Sequence, residues 1–250
     1  MKNLIYGFIM DLSMFTIIPM PYKAWRDEAT RHMMKLYPLV GLVVGVINYF
    51  IYKILNYLNL STILIAAFTM VIPFVITGMI HLDGFMDVSD ALLSRRNKEE
   101  KIRILKDPNT GAFSVISLGI LFILEFSAVY TIVENKIVMP IIIIPMISRS
   151  IMGIMLLKKE TMKESSLGAY FKKDTNNIDI LVLYIFLILE SIIMFLILGI
   201  NGILISLLMI LISVISVNKS TKELGGMSGD SAGYGLVIAE FIGLLVLAII

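Results

Sequence analysis

Three aspartates stand close together in the stretch His81-Leu82-Asp83-Gly84-Phe85-Met86-Asp87-Val88-Ser89-Asp90. In a helix, the carboxylates of Asp83, Asp87 and Asp90 are spaced i, i+4 and i+7 and project from one face. Like charges at this spacing repel, so we expect a cation among them. Carboxylates without histidine or thiolate partners suit Mg²⁺, which takes one or two carboxylates, keeps some waters and accepts phosphate oxygens. The stretch therefore predicts a Mg²⁺ site for phosphoryl transfer, in preference to a solvated acidic patch.

A glycine-rich loop near the C-terminus, at 218–235, carries a fourth aspartate. Five glycines lie in its last eleven positions. Glycines let backbone amides approach an anion closely, so we expect Gly225, Gly226 and Gly229 to contact substrate phosphate. Asp230 adds a carboxylate for the same metal. The four-residue spacing of several glycines also fits close helix packing, and the two interpretations are compatible.

A basic loop follows the first aspartates and completes an Asp-rich and basic segment at 81–111. Arg95, Arg96 and Lys106 are candidate contacts for a pyrophosphate-containing substrate, because such a substrate needs cationic partners. Membrane topology alone would also enrich this loop in Lys and Arg. Arg149 is a fourth candidate, inside a predicted span, where an unpaired charge is costly.

The composition places these residues in a membrane protein. Of 250 residues, 58% are hydrophobic and 16% are charged, and the mean hydropathy is +0.91. A disordered tail or a fibrous repeat needs more polar residues. The absence of cysteine excludes disulfides, thiolate zinc sites and cysteine nucleophiles. The net charge of only +2 predicts no nucleic-acid partner.

Seven apolar stretches approach the length of about 20 residues that a transmembrane helix needs. They lie at 38–58, 61–80, 112–133, 137–157, 178–199, 202–217 and 235–250. The last two are short, so we expect six to seven spans in an all-α integral membrane protein. Residues 1–250 are predicted to form one polytopic domain. Its segment 1–37 is predicted to be interfacial, and the first 20 residues to form an interfacial or partly inserted helix that Pro19 and Pro21 end.

Basic residues predict the orientation in the cell membrane. All but three of the 21 Lys and Arg fall on one side of these spans, the exceptions being Lys53, Lys136 and Arg149. Cytoplasmic loops carry an excess of Lys and Arg. The N-terminus and the loops with the candidate site residues are therefore predicted to be cytoplasmic, and the C-terminus to lie outside.

The motif His-Leu-Asp-Gly-x-x-Asp-x-x-Asp at 81–90 resembles the signature of the cobalamin synthases, also called adenosylcobinamide-GDP ribazoletransferases. Further matches follow in order along almost the whole chain. They are Phe15-Thr16 with Pro19 and Pro21, Tyr37-Pro38-Leu39-Val40-Gly41 with Gly45, Lys106-Asp107 with Gly111-Ala112-Phe113, Ser148-Arg149, Leu167-Gly168-Ala169 with Phe171, and Leu224-Gly225-Gly226-x-x-Gly229-Asp230 with Gly233 and Glu240. Val237 departs from the acidic residue expected there, but no departure touches the aspartates.

The resemblance implies a Mg²⁺-dependent membrane enzyme that acts on adenosylcobinamide-GDP and α-ribazole, or its 5′-phosphate. A ribose hydroxyl attacks the phosphorus attached to cobinamide, and GMP leaves. We expect Asp83 and Asp87 to hold Mg²⁺, and Asp90 to act as the base or as a further ligand. His81 is the substitute base, and Asp230 is a metal ligand or positions the nucleophile.

Two other functions fit parts of the sequence. A CDP-alcohol phosphatidyltransferase also has an aspartate motif beginning Asp-Gly, but it expects Ala-Arg where this chain has Asp87-Val88. A transporter would use Arg149, Glu190 and Glu240 as midplane contacts, but no paired inverted halves are visible. Small-residue faces such as Gly41 and Gly45 are interpreted first as helix packing and are compatible with a homodimer.

Overall fold

The structure is a computed structural model that describes residues 2–21, 25–163, 165–172 and 175–250. The described residues form helices and no regular β-strand. The helices are α1 (Lys2–Phe15), α2 (Met33–Tyr57), α3 (Thr62–Ile76), α4 (Ile80–Leu93), α5 (Lys98–Leu105), α6 (Ala112–Glu134), α7 (Ile144–Lys158), α8 (Ser166–Lys172), α9 (Asn177–Leu198), α10 (Ile200–Leu224) and α11 (Gly229–Ile249). Lys23 and Lys173, counted above for orientation, and the side chain of Leu167 lie outside the described residues.

The helices confirm the predicted fold class. Within the described ranges, α2, α6, α7, α9, α10 and α11, some with a preceding helical turn, are long and apolar enough to cross a membrane. The bent pair of α3 and α4 makes a seventh if it counts as one broken span. Helix α7 is the central one, because nearly all its side chains are buried by the other helices.

The predicted span 61–80 was wrong at its end. Helix α3 stops at Ile76, and the chain turns through Gly78 and Met79, which have φ of +61° and +60°. Helix α4 then begins at Ile80 at 91° to α3. Hydropathy does not detect this turn, because the residues on both sides of it are apolar. The aspartate motif therefore lies on a helix of its own.

The last two predicted spans were too short. Helix α10 has 25 residues and α11 has 21, because both continue past their apolar cores into polar ends. Gly225 ends α10 with a φ of +88°, which a glycine adopts without strain. Ser228 is the N-cap of α11, because its side chain accepts a hydrogen bond of 3.1 Å from the backbone N–H of Ser231.

Glycines allow the helices around the aspartate motif to approach closely. A Cβ on Gly84 would lie 2.9 Å from the Cα atom of Asp230, so α4 and α11 cross there backbone to backbone. Gly41 packs in the same way on the backbone of Pro145, and Gly45 on that of Ile142. The packing predicted for Gly41 and Gly45 is thus confirmed, between segments of one chain.

Candidate active site

A cavity of about 340 Å³ lies where the first turns of α4 and α11 meet the end of α1. Its polar lining consists mainly of Asp83, His81 and Asp230. Aromatic and methionine side chains from α1, α2, α7 and α8 make up half of the remaining lining. Ligand sites are commonly apolar cavities of this kind with a few converging polar groups. This cavity is therefore the candidate active site.

The two aspartates that line the cavity come from segments far apart in the chain. Asp83 lies in the first turn of α4 and Asp230 in the first turn of α11. Gly84 brings them together, because any larger residue there would collide with the backbone of Asp230. The predicted pairing of Asp230 with the aspartate motif agrees with this contact.

Asp87 lies one turn beyond Asp83 on α4 and is half-buried. It does not line the cavity, but the negative charges of Asp83, Asp230 and Asp90 all act on its carboxylate. Among the described residues, no Lys or Arg forms an ion pair with any of these four aspartates. The site thus concentrates negative charge without an internal cation.

The carboxylates at the cavity would fit a Mg²⁺ ion that takes only some of its ligands from the protein. No three His, Asp or Glu side chains in the described residues are placed to hold a metal ion by themselves. Mg²⁺ commonly uses one or two carboxylates and fills its other positions with water and phosphate oxygens. Asp83 and Asp230, both at the cavity, provide two such carboxylates with hard oxygen donors.

Asp90 turns away from the cavity and binds the start of α6. Its Oδ1 accepts a hydrogen bond of 3.1 Å from the backbone N–H of Phe113. A Cβ on Gly111 would come within 2.0 Å of its Oδ2, so only glycine leaves room for the carboxylate. A carboxylate at a helix N-terminus satisfies free N–H groups and interacts favourably with the helix dipole. The predicted roles of Asp90 as base and as metal ligand remain predictions, and this contact gives it a structural role.

His81 lines the cavity and is held by Tyr37. The His81 Nε2 and Tyr37 Oη atoms are 3.2 Å apart, and both side chains are buried. No role was predicted for Tyr37 from the sequence. The only feature that pointed to it was its place in the stretch 37–41, which resembles the cobalamin synthases. The hydrogen bond fixes the orientation of the imidazole ring at the polar end of the cavity.

Arg149 lies beneath this cavity and does not line it. Its guanidinium is 1% exposed and its Nη1 donates to Glu240 Oε1 at 2.7 Å. Tyr37 lines the cavity and is also close to Arg149, whose guanidinium is 5.8 Å from the centre of the Tyr37 ring. The predicted phosphate contact of Arg149 is untested, but its charge already has a partner within the protein.

The other two acidic side chains in the spans have different surroundings. Glu190 on α9 accepts a hydrogen bond of 2.9 Å from Ser150 on α7, so it joins two helices. Glu125 is buried and lines a small, mostly apolar cavity of about 30 Å³ together with Glu240 and Asn48. Neither glutamate reaches the candidate active site.

The predicted phosphate contacts in the basic loop lie outside the cavity. Arg95, Arg96 and Lys106 are exposed, and Arg96 is within 3.9 Å of Glu100. Beside Lys106, the two hydrogen bonds from Asn109 hold the pKa of Asp107 below its usual value. The loop is thus organised, but its cations do not approach the cavity in this structure.

Of the three glycines predicted to bind phosphate, only Gly229 lines the cavity. Gly225 forms the end of α10, and a Cβ on Gly226 would come within 2.5 Å of the Met162 backbone nitrogen. Met162 and Met227 are joined by a backbone hydrogen bond of 3.0 Å. The positive φ at the end of α10 therefore accounts for Gly225, and the close contact with Met162 accounts for Gly226.

Comparison with known proteins assigns the chain to a family. Residues 7–248 match the cobalamin-5-phosphate synthase family. Similar curated proteins, each named adenosylcobinamide-GDP ribazoletransferase, come from Clostridium botulinum Alaska E43 (52% identity, covering 98% of this chain and 97% of that protein), Clostridium perfringens SM101 (47%, 100% of both) and Clostridioides difficile 630 (31%, 95% of both). No solved structure matches. With a family match over nearly its whole length, this chain belongs to the cobalamin-5-phosphate synthase family.

Proposed function

We propose that this protein transfers the phosphocobinamide group of adenosylcobinamide-GDP to a ribose hydroxyl of α-ribazole, or of its 5′-phosphate. GMP is released, and the product is adenosylcobalamin or its 5′-phosphate. The observation that carries this proposal is the pair of carboxylates, Asp83 and Asp230, at the polar end of an otherwise apolar cavity. Relatives named for this activity align with nearly the whole chain or all of it.

Asp83 and Asp230 would hold Mg²⁺. The role of Asp87 as a ligand remains a prediction, and its negative charge beside them would strengthen the binding of the ion. When bound, the ion stabilises the negative charge that develops on the pyrophosphate oxygens as GMP leaves. The covalent change is a substitution at one phosphorus. The ribose oxygen forms a bond to the phosphorus attached to cobinamide, and the bond from that phosphorus to the oxygen bridging to GMP breaks.

His81 is the better placed of the two predicted bases, because it lines the cavity and Asp90 does not. A neutral imidazole has one N–H donor and one acceptor nitrogen. If Nε2 donates its proton to Tyr37 Oη, Nδ1 is left to take the proton from the ribose hydroxyl. Tyr37 then acts as a positioning residue that selects this form of His81.

The alternative functions receive less support. The residues that a transporter would use at the membrane midplane already have partners within the protein, since Arg149 pairs with Glu240 and Glu190 binds Ser150. The family comparison also favours cobalamin synthase over the CDP-alcohol phosphatidyltransferases.

We further propose that the active-site loops face the cytoplasm, as the distribution of Lys and Arg predicts. The chain has no cysteine, so single-cysteine variants report topology directly. A membrane-impermeant maleimide should label Asn135→Cys in intact cells, but label Glu99→Cys only after permeabilisation. The reverse pattern would invert the topology.

A homodimer remains a prediction. Gly41 and Gly45, on which the expectation partly rested, pack against residues of their own chain.

The proposed activity is tested by GMP release from the lipid-reconstituted protein. With adenosylcobinamide-GDP, α-ribazole and Mg²⁺ all present, we expect GMP, and omission of any one of the three or excess chelator should abolish it. GMP formed without α-ribazole would indicate hydrolysis instead of transfer. CMP formed from CDP-diacylglycerol and an alcohol, with no GMP from the corrin substrate, would favour the phosphatidyltransferase alternative.

A further inference from the structure

The active-site cavity as a whole has a size that discriminates between the two proposed substrates. Its volume is about 340 Å³. Adenosylcobinamide-GDP contains a corrin macrocycle, an adenosyl group and a guanosine diphosphate, and is several times larger than this space. α-Ribazole is a single nucleoside, of a size that such cavities commonly enclose. Only the nucleoside fits inside.

The chemistry of the wall suits a flat aromatic base. Phe15 is its centre, with ring centroids 5.9 Å from Phe171 in a stacked arrangement and 4.6 Å from Tyr37 in a tilted one. Met34 and Met152 add polarisable sulfur-containing side chains to the lining. Aromatic rings and thioethers interact favourably with the faces and edges of an uncharged aromatic ring.

The polar lining lies beside this aromatic wall. His81 joins the two parts, because its ring centroid is 6.1 Å from that of Phe15 and it is hydrogen-bonded to Tyr37. Asp83 and Asp230 complete the polar part. A nucleoside whose base contacts the aromatic residues would therefore present its ribose hydroxyls to the carboxylates.

We propose that the pocket formed by Phe15, Tyr37, Phe171 and the neighbouring methionines binds the aromatic base of α-ribazole, while the corrin remains outside. This inference rests on the proposed function and extends it by assigning one substrate to one part of the cavity. It makes Phe15 and Phe171 determinants of ribazole affinity.

The test is equilibrium binding of α-ribazole to the lipid-reconstituted protein, without the corrin substrate, compared with the variant Phe15→Leu. We expect the wild type to bind α-ribazole and the variant to bind it about tenfold more weakly, since stacking of a base on an aromatic side chain contributes this order of affinity. Phe122→Leu is the matched control, because it disrupts an aromatic pair with Phe74 away from the cavity. Its affinity should equal that of the wild type.

Steady-state kinetics give an independent comparison. In Phe15→Leu, the KM for α-ribazole should rise while the KM for adenosylcobinamide-GDP stays unchanged. Phe171→Leu should show the same selective effect. Because Phe171 lies on the short helix α8 outside the spans, this variant replaces the first one if Phe15→Leu does not fold.

Two results would overturn the inference. One is unchanged α-ribazole affinity in both phenylalanine variants, and the other is a rise in the KM for the corrin substrate instead. Wild-type GMP release in either case would leave the proposed function standing. Conversely, selective loss of α-ribazole binding in a protein that releases no GMP would support the pocket and contradict the transfer reaction.

Discussion

The acidic residues of this protein form two groups that the fold treats differently. In the membrane-spanning helices, Glu240 is paired with Arg149 at 2.7 Å and Glu190 accepts a hydrogen bond from Ser150. At the crossing of α4 and α11, Asp83 and Asp230 have no cationic partner among the described residues. Glu240 and Glu190 thus each have a partner within the protein, whereas we propose that Asp83 and Asp230 bind a cation from outside.

This difference separates structural charges from functional ones. Buried charges are costly unless they are paired, and removal of one partner leaves the other uncompensated. Carboxylates that lie close together repel one another, and we propose that a bound cation relieves this repulsion. Substitutions in the two groups should therefore affect different measurements, stability in one and turnover in the other.

The largest expected effect is on turnover in Asp83→Asn. Loss of a carboxylate that helps to stabilise transition-state charge should lower kcat by about a hundredfold to a thousandfold, while expression and membrane insertion stay normal. GMP release measures the effect, and Glu99→Gln on the exposed face of α5 is a matched control. Wild-type turnover in Asp83→Asn would exclude this residue as an essential ligand.

The next largest effect is on stability in Arg149→Met. The variant removes the cationic partner of the mostly buried Glu240, which keeps only its hydrogen bond from Ser148, so it should lose about 3 to 5 kcal/mol of unfolding free energy. The double variant Arg149→Met/Glu240→Gln should recover part of that loss, because it removes both charges. Thermal unfolding in detergent compares the three proteins, and a single variant as stable as the wild type would show that the pair is not structural.

A smaller effect is expected at Asp90, which tests its predicted role as base. The amide oxygen of Asp90→Asn can still accept the Phe113 N–H, so turnover should fall by less than about tenfold, or ~1.4 kcal/mol in activation free energy. Asp90→Ala removes the acceptor and should cost about 1 kcal/mol of stability. Loss of GMP release in an Asp90→Asn protein of normal stability would support the predicted role of Asp90 as the base.

The smallest effects are expected in the exposed basic loop. Arg95→Gln and Arg96→Gln should each raise the KM for adenosylcobinamide-GDP by less than about fivefold, because exposed charge pairs contribute roughly 1 kcal/mol or less. Kinetics at low and high salt measure this. A loss of a hundredfold in either variant would mean that the loop closes onto the substrate.

Local patterns in the sequence predicted much of this arrangement. The spacing of Asp83, Asp87 and Asp90 predicted a helix, and all three lie on α4. Apolar stretches predicted the spans, because burial in lipid requires them. Small residues at Gly41 and Gly45 predicted close packing, since only small residues admit a neighbouring backbone.

The remaining features depend on contacts between distant parts of the chain. The turn at Gly78 and Met79 follows from backbone angles that apolar residues do not signal. The hydrogen bonds of Asp90 to α6 and of His81 to Tyr37 each depend on how separate helices cross. One sequence identifies candidate groups, but it does not decide which of them face the same cavity.

The most direct test of the central claim is Mn²⁺ binding, measured by electron paramagnetic resonance of the reconstituted protein. Mn²⁺ accepts the same oxygen ligands as Mg²⁺, and the strong signal of the free aqueous ion decreases as the ion binds. We predict one bound ion in the wild type and in Glu240→Gln, and a much weaker affinity in both Asp83→Asn and Asp230→Asn. Equal Mn²⁺ affinity in the wild type and both aspartate variants would contradict the claim that Asp83 and Asp230 jointly hold the metal ion.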